Sequence, residues 1–243
     1  MRAGAEASAE LEASPNAARY YGNLSELHLN LGNVTEAVAA ARQSIELADR
    51  SGNQFLGIVM RTGLADALHQ SGDLVEAKRL FGEAERLEAE SHPEYPILYS
   101  VQGFRYCDLL LDQGQAANVL RRASQTLDWA KRHLGLLDIG LDHLSLGRAC
   151  PSGSSEAAHH LDQAVDFIRR SGYLDELPRA LLARGTPRDL DEVFRIASRS
   201  GMRLYLADYY LAVGNLAEAE RLINETGYHR RDGELEELRK RLE

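Results

Sequence analysis

One short pattern recurs along the chain and constrains its fold more than any other feature. A glycine is followed by a polar residue and, a few positions later, by Glu-Ala. The clearest copies are residues 31–37, 71–77 and 213–219, and weaker copies are residues 113–119 and 152–157. Glycine readily adopts the left-handed conformation that ends a helix, and Asn or Asp caps the next helix. The pattern therefore predicts a series of helix–turn–helix units.

Apolar residues at helical spacing flank these turns. Tyr21 and Leu24 precede the first turn, while Phe81 and Ala84 follow the second. The turn glycines at 32, 72 and 114 are 40 and 42 residues apart, which leaves room for two helices in each interval. Only six prolines and few β-branched runs occur, which argues against extensive sheet. The expected fold is all-α and built of antiparallel helix pairs.

This combination resembles the tetratricopeptide repeat over essentially the whole chain. The residues that carry the resemblance are Leu24, Gly32 and Ala37, then Leu64, Gly72, Ala77, Phe81 and Ala84. The longer interval is similar to the extended-helix variety found in regulatory members of the family. The resemblance implies a right-handed superhelical solenoid of about five to six repeats. We expect a single domain over residues 1–243, with a partial leading helix (1–17), regular repeats (18–172) and irregular or gapped repeats (173–243).

The C-terminal repeats are more closely spaced. Glycines at predicted helix ends fall at 135, 172, 201 and 227, so the intervals shrink to 37, 29 and 26 residues. Two helices of normal length do not fit into the shortest interval. The spacing predicts either truncated pairs or missing residues near Gly185 or Leu211, and missing residues are the favoured hypothesis.

A second resemblance concerns the C-terminal part alone. Residues 161–166, 177–184, 200–208 and 225–232 resemble the repeats of large bacterial signalling proteins. In those proteins the repeats follow a nucleotide switch of the NACHT or NB-ARC type, or a TIR-type effector. The resemblance implies a sensor or assembly module. The chain carries no GxxxxGK[ST] motif, so the sequence predicts no nucleotide switch within it.

The chain is acidic, with 37 Asp and Glu against 28 Lys and Arg and a net charge of −9. This balance disfavours binding to nucleic acid or to anionic membranes. No apolar run is long enough to span a membrane, and the two cysteines lack metal-ligand spacing. We expect a cytoplasmic protein without a disulfide framework.

Motifs for chemistry are absent from the sequence. GxSxG, HExxH and GxGxxG do not occur, so no catalytic residue, cofactor or metal is predicted and the chain is not expected to be an enzyme. His143 approaching His159 and His160 is the one metal site considered, against the simpler reading of surface histidines. Cys107 is interpreted as a packing residue. An enzyme with an unrecognised site remains a less favoured alternative.

The first helix of each pair lines the concave face of such a solenoid. On the side opposite the packing stripe, the predicted partner-binding residues are Glu26, Asn30, Asp66, His69, Asp108, Asp112, Asp142 and Asp208. A mostly acidic face favours a basic or amphipathic protein or peptide, although it is equally consistent with a solvated surface. The family's clamp for acidic chaperone tails needs Lys where Gly22, Thr62 and Phe104 stand, which argues against that partner.

The leading functional hypothesis is a protein–protein interaction scaffold or sensor module in a larger bacterial signalling or defence protein. It would act as a homo-oligomer or attached to a nucleotide-switch or effector domain. The alternative is a peptide-binding regulatory protein. That alternative needs convergent Asn or Arg side chains that hold a peptide backbone, which an acidic face does not supply.

Overall fold

A computed structural model describes residues 15–243, so most of the predicted leading helix lies outside the described residues. Within that range every regular element is helical. The α-helices are α1 (Pro15–Leu31), α2 (Val34–Ser51), α3 (Gln54–Gln70), α4 (Leu74–Ser91), α5 (Ser100–Asp112), α6 (Ala116–His133), α7 (Leu136–Ala149), α8 (Ser155–Ser171), α9 (Leu177–Arg184), α10 (Pro187–Ser200), α11 (Arg203–Ala212), α12 (Leu216–Thr226) and α13 (Asp232–Leu242). A short 3-10 helix, His229–Arg231, precedes α13.

The predicted turns form for the predicted reason, with one exception. Gly72 has a φ of 87° and Gly214 a φ of 76°, values that glycine adopts without steric cost. Asp73 accepts a hydrogen bond from the Glu76 N–H at 3.1 Å and caps α4. The expected cap at Asn33 is wrong, because its side chain makes no capping hydrogen bond.

The helices pair as the glycine pattern predicts. Helices α1–α2, α3–α4, α5–α6, α7–α8 and α9–α10 pack as consecutive pairs, and α11–α12 is joined by the Gly214 turn. First helices also pack against the next first helix, as α5 does on α7, α7 on α9 and α9 on α11. The prediction of an all-α solenoid of tetratricopeptide-like helix pairs is therefore confirmed.

The chain divides into two compact units. The first comprises the described residues up to Leu98 together with Thr226–Arg230, and the second comprises Tyr99–Glu225 together with Arg231–Glu243. A core of α1, α2 and α3 side chains, including Leu47, Leu56 and Met60, holds part of the first unit together. The single domain over 1–243 stays a prediction.

The core of the second unit lies between α5 and α7–α10. Leu144, Ile168 and Leu181 are fully buried in it. Two glycines bring α7 close to α8. A Cβ atom on Gly140 would lie 2.6 Å from Ile168 Cγ1, and one on Gly147 would lie 2.8 Å from Leu161 Cδ2. Helix α8 therefore leaves no room for a side chain at Gly140 or Gly147.

Most C-terminal helices have fewer residues than the helices of the first repeats. Helix α9 has 8 residues, α11 has 10 and α12 has 11, whereas α2 and α4 each have 18. The Gly185 N–H donates to Leu181 O at 2.8 Å and ends α9, and Leu211 lies inside α11. Truncated helices thus account for the shrinking glycine intervals.

A buried carboxylate joins helices α9 and α10. Asp189 is 2% exposed and closes a capping box with Thr186. Its two oxygens also accept hydrogen bonds from Arg184 Nη2 and Nε at 2.6 and 2.9 Å. These bonds, with that from Thr186, lower the pKa of Asp189.

We expect Asp189→Ala to lower the free energy of unfolding by about 2–3 kcal/mol, because it removes a helix cap and charged hydrogen bonds together. Urea denaturation followed by circular dichroism measures the change. Asp162→Ala is the matched control, since Asp162 also pairs with Arg184 but is largely exposed, and it should cost less than about 1 kcal/mol. Equal losses for the two variants would contradict the assigned role of Asp189.

Candidate functional site: the first-helix face of the second unit

Helices α5, α7, α9 and α11 present one side-chain surface in the second unit, which we call the first-helix face. Asp108 of α5 accepts a hydrogen bond from Arg148 of α7 at 2.5 Å. The Asp108 side chain is 9% exposed and that of Arg148 is 26% exposed. This ion pair ties one first helix to the next and largely neutralises the buried carboxylate.

Arg179 of α9 occupies the middle of this face. Its guanidinium carbon lies 5.1 Å from the ring centroid of Phe104 and 5.9 Å from that of Tyr205. Its Nε donates to Tyr205 Oη at 2.9 Å and lies 2.7 Å from Glu176 Oε2. Aromatic rings and a carboxylate hold the guanidinium in one place, so Arg179 is preordered.

A third arginine closes the face at α11. Arg231 Nε lies 2.7 Å from Asp208 Oδ1, and the Arg231 Nη1 lies 2.6 Å from Glu234 Oε1. Each first-helix carboxylate described so far therefore has an arginine beside it. These three ion pairs reduce the negative charge of the face, and the half-buried Tyr205 lies beside Arg179.

The predicted binding residues of the first unit differ in accessibility. Glu26 is exposed and Asn30 is half-buried, whereas Asp66 and His69 are buried. Asp66 accepts a hydrogen bond from the Gln70 side chain at 2.7 Å. A partner can therefore reach Glu26 and Asn30 directly, but not Asp66 and His69 as the helices stand.

The predicted residues of the second unit show the same division. Asp112 is exposed, Asp208 is half-buried and paired, and Asp108 and Asp142 are buried. Thr126 donates to Asp142 Oδ1 at 2.6 Å. Burial raises the pKa of the Asp142 carboxyl to about 7, although this hydrogen bond lowers it. A partner-binding role for these residues stays a prediction, and Asp112 is the one of the four that is exposed.

Sequence reasoning missed the arginines of this face. Arg148, Arg179 and Arg231 were not among the predicted residues. One signal was available for Arg148, because it stands 40 residues after Asp108, which is one repeat interval. Opposite charges about one repeat apart lie at neighbouring positions on successive first helices and are expected to meet.

The histidines lie on the other side of α7. His143 Nδ1 and His160 Nδ1 are 2.8 Å apart and the ring centroids are 5.1 Å apart. The two nitrogens thus lie nearly on the line between the rings, as in a hydrogen bond, and do not converge on a third point as two metal ligands do. Burial, with the charges of His160 and Lys131, lowers the pKa of His143 to about 4. Among residues 15–243, no group of three or more His, Cys, Asp and Glu is placed to hold a metal ion.

Cys107 packs beside Leu110, Val119 and Ala149 between α5, α6 and α7. Burial raises the pKa of its thiol to about 11, so the nucleophilic thiolate is scarce at neutral pH. The environment is that of a packing residue.

Comparison with known families agrees with the helix pairs at both ends of the described chain. Tetratricopeptide repeat models match residues 18–50, 60–83 and 203–225, which fall on α1–α2, α3–α4 and α11–α12. These matches support tetratricopeptide repeats in those three segments, and proteins with such repeats are generally non-enzymatic interaction modules. No curated protein and no solved structure matches the chain. In the part of the chain that the structure describes, no helix is long and apolar enough to cross a membrane.

Proposed function

We propose that this chain is a protein–protein interaction scaffold whose first-helix face binds an amphipathic segment of another protein. The observation that carries the proposal is the preordered Arg179 between Phe104 and Tyr205. Tyrosine and arginine are enriched among residues that dominate binding energy, since both combine an apolar body with polar groups. Fixing Arg179 in advance reduces the entropy lost on binding.

The balanced charges of the face favour an amphipathic partner over a strongly basic one. Asp108, Glu176 and Asp208 each lie beside an arginine, so they contribute little net negative field. An apolar stripe on the partner fits the half-buried tyrosines, and a basic side chain fits near the exposed Asp112. This arrangement also supports the peptide-binding alternative, because Arg148 and Arg179 are arginines on one face.

We further propose that the chain acts within a larger bacterial signalling or defence protein, where it serves as the sensor or assembly module. The resemblance of residues 161–166, 177–184, 200–208 and 225–232 to repeats of such proteins supports this context. Attachment to a nucleotide-switch or effector domain, in the cytoplasm, belongs to the same proposal.

Selection of displayed random peptides on the intact chain tests the binding face. We expect an enriched class of amphipathic peptides, and we expect Arg179→Ala to weaken their binding by about 30-fold, since a central arginine contributes about 2 kcal/mol. Arg169→Ala is the control, because Arg169 lies on the second helix α8 and is also ion-paired, with Glu192. It should change affinity less than about twofold.

Thermal unfolding of both variants, followed by circular dichroism, ensures that folded proteins are compared. Failure to enrich any peptide class, or equal weakening by the two substitutions, would refute binding at the first-helix face.

A further inference from the structure

Five residues near the C-terminus belong to the first compact unit, although the residues on either side of them belong to the second. We call these five, Thr226–Arg230, the inserted segment, since they group with the described residues up to Leu98. Thr226 is 4% exposed and Tyr228 is 3% exposed. Two of the five side chains of the inserted segment are therefore buried.

The inserted segment crosses two successive repeats of the first unit. A Cβ atom on Gly227 would lie 3.9 Å from Val34 Cβ, which follows the Gly32 turn. Two residues later, His229 Cβ lies 3.2 Å from the position of a Cβ atom on Gly72. Gly32 and Gly72 are equivalent residues of turns that stand 40 residues apart. The segment therefore runs from one repeat to the next, as a ligand does along the binding surface of a repeat protein.

An arginine anchors the end of the inserted segment on helix α3. Arg230 Nη1 donates to Gln70 Oε1 at 3.2 Å, and Gln70 Nε2 donates to Asp66 Oδ1 at 2.7 Å. A carboxylate only accepts and a guanidinium only donates, so the Gln70 amide satisfies both groups in a single orientation. Gln70 is 8% exposed and Asp66 is 9% exposed. The glutamine is thus a buried acceptor for arginine, and the carboxylate behind it fixes its orientation.

We propose that the turn surface of the first unit, formed by Val34, Asp66, Gln70 and Gly72, binds a short protein segment with an aromatic residue and, two positions later, an arginine. The inserted segment is the built-in occupant of this surface and shows the same pattern. A partner segment of this chemistry takes its place. The turn surface lies in the first unit, so the inference is independent of the function proposed for the first-helix face.

The built-in occupant is small enough to be displaced. Of its five residues, His229 is exposed and Arg230 is only half-buried. An occupant in the same chain competes at an effective concentration on the order of millimolar, so a partner binds more tightly once the occupant is weakened. The net charge of −9 attracts a competing segment that is basic. Charge and local geometry therefore favour the same class of partner.

Binding of a labelled peptide with the sequence of residues 225–232 tests the proposal. Fluorescence anisotropy measures its affinity for the intact wild-type chain and for Arg230→Glu, in which the built-in occupant is weakened. We expect Arg230→Glu to bind the peptide at least about tenfold more tightly than the wild type, and Arg230→Ala to show a smaller gain. Arg188→Glu is the matched control, because Arg188 is exposed on α10, and it should bind like the wild type. Equal affinities of all four proteins, or no binding by any of them, overturn the proposal.

Gln70→Ala, combined with Arg230→Glu, tests the position of the site. It is expected to weaken peptide binding about tenfold, because the peptide arginine loses its buried acceptor. Gln54→Ala is the control, since Gln54 is exposed at the other end of α3, and it should leave the affinity unchanged. Circular dichroism establishes that the compared variants are folded. A peptide that binds equally well after Gln70→Ala, or after Tyr228→Ala and Arg230→Ala in the peptide itself, overturns the proposal.

Discussion

The Asp142→Asn variant is expected to be more stable than the wild type at pH 7.5 and to lose about 2–3 kcal/mol of that advantage by pH 4.5. Burial raises the pKa of Asp142 from 3.8 to about 7 in the folded protein. The folded state therefore binds a proton more tightly than the unfolded state does. The wild type is destabilised by the buried charge above pH 7, and this cost disappears as the pH falls towards 4, at about 1.4 kcal/mol per pKa unit. Asparagine keeps a hydrogen-bond partner for Thr126 and has no charge at any pH.

His143, next to Asp142 in α7, changes the stability of the fold with pH in the opposite direction. The folded-state pKa of His143 is lowered from 6.5 to about 4, so its neutral form stabilises the fold above pH 6.5 and this contribution is lost as the pH falls towards 4. His143→Gln, measured against the wild type, should therefore gain about 2 kcal/mol between pH 7.5 and pH 4.5. In the wild type the two effects largely cancel over this range.

Urea denaturation at pH 7.5, 6.5, 5.5 and 4.5 measures both differences, and subtraction of the wild-type value removes the titration of other groups. Asp175→Asn is the control, because this carboxylate lies exposed between α8 and α9, and the substitution should change stability by less than about 0.5 kcal/mol at every pH. A difference between Asp142→Asn and the wild type that is the same at all four pH values would show that the Asp142 pKa is not raised.

The second large effect concerns the contact between α7 and α8. Gly140→Val is expected to destabilise the protein by about 3 kcal/mol or more, since even a Cβ atom there would lie 2.6 Å from Ile168 Cγ1 and 3.0 Å from the Ile168 backbone nitrogen. Gly140→Ala should cost about 1–2 kcal/mol, because the gain in helix propensity offsets part of the steric cost.

Gly82→Ala provides the matched control, as Gly82 also lies within a helix, α4, and a Cβ atom there meets nothing within 4 Å. It should stabilise the protein by about 0.5–1 kcal/mol. Thermal unfolding by calorimetry measures all three variants. Stabilisation of the protein by both Gly140→Ala and Gly82→Ala would contradict the close approach of α7 to α8 at Gly140.

The helix pairs were predictable because their turns depend on local chemistry. Gly32, Gly72 and Gly214 all adopt positive φ values. A glycine next to a potential capping residue predicts this conformation from the sequence. Accessibility was not predictable in the same way. Glu26 and Asp66 each stand six residues before a turn glycine, yet Glu26 is exposed and Asp66 is buried. Their exposure depends on which other segments cover each helix, and periodicity along one helix contains no information on that.

The candidate site was only partly predictable for the same reason. The sequence located Asp108 and Asp208 on first helices, but it did not identify Arg148 and Arg231, which lie beside them. Pairing across helices neutralises a carboxylate, so a count of acidic residues overstates the negative field of the face. The placement of Arg179 between Phe104 and Tyr205 depends on three different helices and has no signature within any one of them.

The short C-terminal helices have a consequence for biosynthesis. Isolated helices of fewer than about 12 residues are marginal in water, so α9, with 8 residues, forms only against a surface that already exists. The ribosome releases the chain from its N-terminus, and α7 and α8 emerge before α9 does. Their exposed side is therefore a template on which α9 and then α10 and α11 are ordered in turn. A ribosome that pauses before residue 177 would leave Leu144 and Ile168 without the α9 side chains that pack on them. The exposed apolar surface makes the nascent chain most prone to misfolding at that point.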